Sequence, residues 1–82
     1  MAVYVDKSIF PYGRMIMCHM AADTLEELHT MADQIGVKRK HFQNGRRQHY
    51  DICKSKRALA VGFGAIEVTS RQMVEHFKSS PT

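Results

Sequence analysis

Tryptophan is absent from this 82-residue chain, proline occurs twice, and the two cysteines, Cys18 and Cys53, lie far apart with no Cys-x-x-Cys pair. Two thiols without paired spacing exclude a disulfide-stapled scaffold and lead us to expect reduced thiols in a cytoplasmic protein. Long hydrophobic runs are lacking too. The longest, residues 15–22, is interrupted by His19 and falls far short of the roughly 20 residues a spanning helix needs, so no membrane segment is expected. Asp6 and Lys7 break the first apolar run, and no secretory leader is expected either. Phosphate-cradling glycine signatures, His-x-x-x-His pairs and a Gly-x-Ser-x-Gly elbow are all missing. Gly62-Phe63-Gly64 reads as a helix end, and Ser55 and Ser70 as helix caps.

What remains has an ordinary globular composition, 44% hydrophobic and 24% charged, which argues against disorder and low complexity. The length leaves room for one domain. Residues 1–78 are expected to form it, with 79–82 as a flexible tail. The six methionines read as core filler, with an interface role for Met15, Met17 and Met20 as the alternative.

Acidic residues are outnumbered, eight against twelve basic, for a net charge of +4. The excess is concentrated in residues 38–57, where Lys38, Arg39, Lys40, Arg46, Arg47, Lys54, Lys56 and Arg57 face one acid, Asp51. Such density attracts nucleic acid, a nucleotide or another phosphorylated ligand, or simply forms a solvated loop.

The patterning predicts an α/β fold in the order β-β-α-β-α-β-α, a mixed or mainly parallel sheet with about three helices. Ala2-Val3-Tyr4-Val5 is β-branched and aromatic and ends at Asp6. Residues 14–22 alternate two apolar sets, which fits a central strand. Thr24 with Glu27 forms a capping box, and Leu25, Leu28, Met31, Ala32 and Ile35 share one helical face before Gly36. A short strand is expected over residues 37–42, followed by an Asn44-Gly45 turn. Ser55 is expected to cap a helix over Ala58 to Phe63, residues 65–69 to form a strand, and Thr69 with Gln72 to box the last helix, which carries Met73, Val74 and Phe77.

Val3-Tyr4-Val5-Asp6, Gly13-Arg14, His19, Ala22-Asp23, Glu27-Leu28-His29, Gly36, Phe42, His49-Tyr50-Asp51, Gly64-Ala65 and Ser70-Arg71 together resemble a small family of phage and actinobacterial proteins catalogued as a domain of unknown function. The resemblance implies one small cytoplasmic domain, often phage-encoded, and supplies no activity. Against the family, residues 44–48 look like an insertion in a variable loop. The strand ending in Asp6 and the late helix, strand and Thr-Ser turn are also similar to the first and last pieces of a PIN-type nuclease. That fold needs several acids around a metal, and Thr69-Ser70-Arg71 offers none where the last strand ends.

Three functions follow as expectations. The first is a non-enzymatic binder of a nucleotide-like or other phosphorylated anion, drawing on Asp6, Arg14, His19, His29, His49, Tyr50, Asp51, Lys56, Arg57, Ser70 and Arg71 if strand ends converge at one sheet edge. The second is a metal-dependent, phosphoesterase-like hydrolase. Here Asp6, His19, His29 and His49 are the metal candidates, with Asp51, Cys18 and Cys53 as further donors, and His49 and Asp51 are the acid/base candidates with Tyr50 as a donor. The third is electrostatic nucleic-acid binding through residues 38–57. A homodimer is expected to complete the core of so small a domain.

Overall fold

Residues that alternate faces come first in the chain. Val3–Asp6 forms β1, Phe10–Tyr12 forms β2 and Met15–Ala22 forms β3. The computed structural model describes residues 2–7, 10–12, 15–45 and 47–79. The expected contributions of Arg14 and Arg46, the Gly13 landmark and residues 80–82 of the expected tail fall outside these residues. Ser79 itself closes the last helix.

Thr24 starts helix α1, Leu25–Ile35, as its capping box requires. Its hydroxyl accepts from the Glu27 N–H at 3.2 Å and donates to Glu27 Oε1 at 2.9 Å. Gly36 ends the helix at φ 81°, a left-handed geometry that suits glycine, and its N–H closes back on the last turn. Leu28, Met31, Ala32 and Ile35 are buried as the spacing predicts, whereas Leu25 in the first turn is 39% exposed.

The strand expected over residues 37–42 is instead a 3₁₀ turn, Arg39–His41, followed by β4, Phe42–Asn44. Three consecutive cations have no buried face to occupy, and the turn leaves all of them in solvent. Strand β5, Gln48–Cys53, then returns beside β4 as a hairpin around Gly45. Helix α2, Lys54–Gly62, begins two residues earlier than expected, with Cys53 rather than Ser55 at its cap. Strand β6 is Ile66–Val68. The Thr69–Gln72 box, with bonds of 2.8 and 3.1 Å, opens α3, Ser70–Ser79.

The sheet is mixed, in the order β4-β5-β3-β1-β6. β1 is parallel to β6 and antiparallel to β3, β3 is antiparallel to β5, and β5 is antiparallel to β4. β3 is central, as its two apolar faces predict. Its edge away from β5 is shared by β1 and β2: Val5 pairs with Met20, and Phe10 with Met17. Between these two pairings the ladder on β3 is interrupted, at Cys18 and His19, and Asp6 follows the last β1 residue paired there.

One face of the sheet carries the core. Val3 and Val5, Cys18 and Met20, and Tyr50 and Ile52 pack beneath Leu28, Met31, Ala32 and Ile35 of α1 and Ala60 of α2. The opposite face presents Tyr4, Asp6, His19, His49 and Asp51 and is partly covered by α3. There the His76 ring lies tilted against Tyr4, centroids 5.0 Å apart, and hydrogen-bonds the Ala22 carbonyl at 3.2 Å, and Met73 is buried. None of the described helices is long and apolar enough to cross a membrane.

Candidate metal centre

The period of two along a strand sets this site. His49 and Asp51 point to the same side of β5, and the antiparallel register places His19 of β3 directly opposite Asp51. The His19 and His49 rings meet edge to face, 5.4 Å apart.

Asp6 supports the site from below. Where the β1 ladder stops, its side chain replaces the missing strand partner. Oδ1 accepts the His19 backbone N–H at 2.9 Å, and Oδ2 lies 2.8 Å from His19 Nδ1. The carboxyl is 2% exposed. A carboxylate accepts, so Nδ1 of His19 carries the proton, and Nε2 presents its lone pair on the far side of the ring. That hydrogen bond to Asp6, opposed by partial burial and reinforced by the charges of Asp6 and Asp51, raises the His19 pKa above its ordinary value.

His49 is oriented in the same way by different means. Its Nδ1 lies 2.8 Å from the carbonyl of Arg47, which can only accept, so this ring too turns an Nε2 lone pair inward. The atom it meets is Asp51 Oδ1, at 3.1 Å, with His19 Nε2 on the other side at 3.9 Å. Asp51 Oδ1 is buried and has no hydrogen-bond partner among the described residues. His19, His49 and Asp51 thus bring one ligand atom each within 4.8 Å of one another. Ligands around tetrahedral zinc, at bonds of about 2.0–2.1 Å, lie about 3.3 Å apart.

The surroundings complete the geometry. Phe77 of α3 sets its ring 6.0 Å from His49, and the exposed Arg47 guanidinium lies over Phe77 at 5.7 Å. Neither the Arg47 carbonyl nor Phe77 stood out in the sequence. Phe77 reads there as a core residue of the last helix, and a backbone carbonyl has no residue-type signal at all.

The other expected residues go elsewhere. His29 and Tyr50 meet on the opposite face, Nδ1 to hydroxyl at 2.7 Å, beside Phe42. Lys56 lies over Gly36. Arg57 donates to the Asp6 carbonyl at 2.9 Å and pairs with Glu67 at 3.0 Å. Ser70 and Arg71 open α3 and are exposed. Cys18 and Cys53 face opposite sides of the sheet and are free thiols. The described basic side chains of residues 38–57 are divided among the 3₁₀ turn, the hairpin and α2, with Arg39 paired to Asp33 at 3.1 Å.

No curated protein and no solved structure matches this chain. A family model does, over residues 3–80, so the chain belongs to the family described as Protein of unknown function (DUF4031).

Proposed function

We propose that this member of the family holds a divalent transition-metal ion, with zinc as first choice, between His19 Nε2, His49 Nε2 and Asp51 Oδ1, and uses it to hydrolyse phosphoesters. The observation that carries this reading is the buried Asp51 Oδ1, 3.1 Å from an imidazole nitrogen whose proton is committed to the other side of its ring. Two acceptors at that distance repel unless a cation lies between them. A proton would satisfy His49 and Asp51 alone, whereas a metal ion satisfies all three donors. Asp6 on His19 and the Arg47 carbonyl on His49 are the kind of outer hydrogen bonds that fix metal-binding imidazoles.

Three protein ligands leave a fourth position open, as catalytic rather than structural zinc sites do. An ion held there supplies Lewis acidity and a water of lowered pKa. The protein's own groups prepare the rest. Asp6 and Arg47 hold the two rings in place, and Phe77 covers the edge of His49. The Arg47 side chain stands at the mouth as a cation for an anionic oxygen. With two ion charges offsetting Asp6 and Asp51, Arg47 leaves the loaded centre positive, which supports an anionic substrate. The free thiols support a reducing, cytoplasmic setting.

The test is turnover of p-nitrophenyl phosphate and bis(p-nitrophenyl) phosphate. Activity should vanish with chelator, return with zinc, and be lost in His49→Ala and Asp51→Asn. Activity that survives chelation or His49→Ala contradicts the proposal.

A further inference from the structure

A separate groove lies beside the carboxyl end of β1. It encloses about 250 Å³ and is lined by Lys7, Ile16, Met17, Cys18, Lys54, Arg57 and Glu67. Its floor is apolar, and Ile16 is 47% exposed within it, a large side chain left uncovered by the fold. Its rim is cationic. The Arg57 guanidinium is fixed by the Asp6 carbonyl and by Glu67, so the one carboxylate among the described lining residues is already neutralised. Lys7 and Lys54 are exposed and have no carboxylate partner among the described residues. The first turn of α2 carries Lys54 and Arg57 on this side with no acid of its own.

We infer that this groove binds a small organic phosphate, its apolar or aromatic body lying on Ile16 and Met17 and its phosphate between Lys7, Lys54 and Arg57. Charge complementarity commits the site to an anion. Among the described lining residues three cations face one carboxylate, and a dianionic phosphate matches their remaining charge of +2. The apolar floor distinguishes an organic phosphate from the inorganic ion, which would leave Ile16 in water. The groove includes none of His19, His49 and Asp51, so binding here does not depend on metal.

Titration with phenyl phosphate in the presence of chelator, followed by amide shifts in a ¹H–¹⁵N NMR spectrum, tests the inference apart from the metal reading. Saturable shifts are expected at Ile16, Met17, Lys54 and Arg57, with phenyl phosphate binding more tightly than either phenol or inorganic phosphate. The double variant Lys7→Gln/Lys54→Gln should weaken binding roughly three- to tenfold, at the scale of two exposed ion pairs, and leave the melting temperature unchanged. Added salt should weaken the wild type more than the variant. Absence of saturation, equal affinity in the double variant, or phenol or inorganic phosphate binding as well as phenyl phosphate would each overturn it.

Discussion

Replacing Asp6 with asparagine removes one charge and almost no volume, and it isolates what the buried carboxylate does for His19. The side chain is 2% exposed, with one oxygen on the His19 backbone N–H and the other on Nδ1. An amide oxygen can keep one of these bonds, but the amide NH₂ cannot accept the other. Losing a charge-assisted bond at a buried position costs about 1.5–3 kcal/mol. The consequence for the metal is of similar size. A ring no longer held with Nδ1 protonated presents Nε2 less often, and loss of such an outer partner lowers metal affinity about 10–100-fold. The pH dependence has a definite sign. Because the His19 pKa is raised in the fold, its protonated form contributes stability that is fully present below the unfolded value, near 6.5, and is lost as pH rises through the folded value. In chelator, Asp6→Asn should therefore lower the melting temperature more at pH 5.5 than at pH 8. Calorimetric zinc titration and thermal melts at the two pH values measure both effects. Unchanged zinc affinity, or a larger melting difference at pH 8, would refute the reasoning.

Three further outcomes follow. Thr24→Ala removes both bonds of the α1 capping box and should cost about 1 kcal/mol in urea unfolding, with metal affinity unaltered. His29→Ala leaves the Tyr50 hydroxyl, on a fully buried residue, without its 2.7 Å partner; stability should fall by about 1–3 kcal/mol, while zinc binding stays at the wild-type level, and a lost zinc site would place His29 among the ligands. The cysteines should differ in reactivity. Burial and the nearby Asp6 push the Cys18 thiol up to about 11, whereas at Cys53 bonds from Ser55 and backbone N–H groups at the start of α2 outweigh burial and hold the thiol below its usual value. Iodoacetamide at pH 7.5 should label Cys53 more than about tenfold faster, by peptide mass spectrometry.

Local rules wrote much of this fold into the sequence. Thr24 with Glu27, Gly36, and Thr69 with Gln72 mark helix ends through contacts three or four residues apart, and all of these form. The double apolar alternation of residues 15–22 identifies the central strand because a period of two survives burial on both faces. β5 escaped assignment because its alternation sets His49 and Asp51 against Tyr50 and Ile52, and one polar face in a six-residue strand flanked by cations looks like loop. The metal candidates were half legible. Asp6, His19 and His49 stand out as polar residues among the landmarks shared with the family, but the pairing of His19 with Asp51 depends on which strands lie side by side. Nothing local encodes that. His29 was grouped with them by residue type, and the register of α1 sends it to the other face with Tyr50.

Cobalt(II) titration of the chelator-treated protein, read by visible absorption and repeated with His49→Ala and Asp51→Asn, tests the central claim most directly. One equivalent should bind with the intense d–d bands of a low-coordinate site, and one equivalent of zinc should displace it. Both variants should lose the bands while retaining the wild-type fold. A featureless spectrum in the wild type, or the same bands in all three proteins, would contradict a metal site at His19, His49 and Asp51.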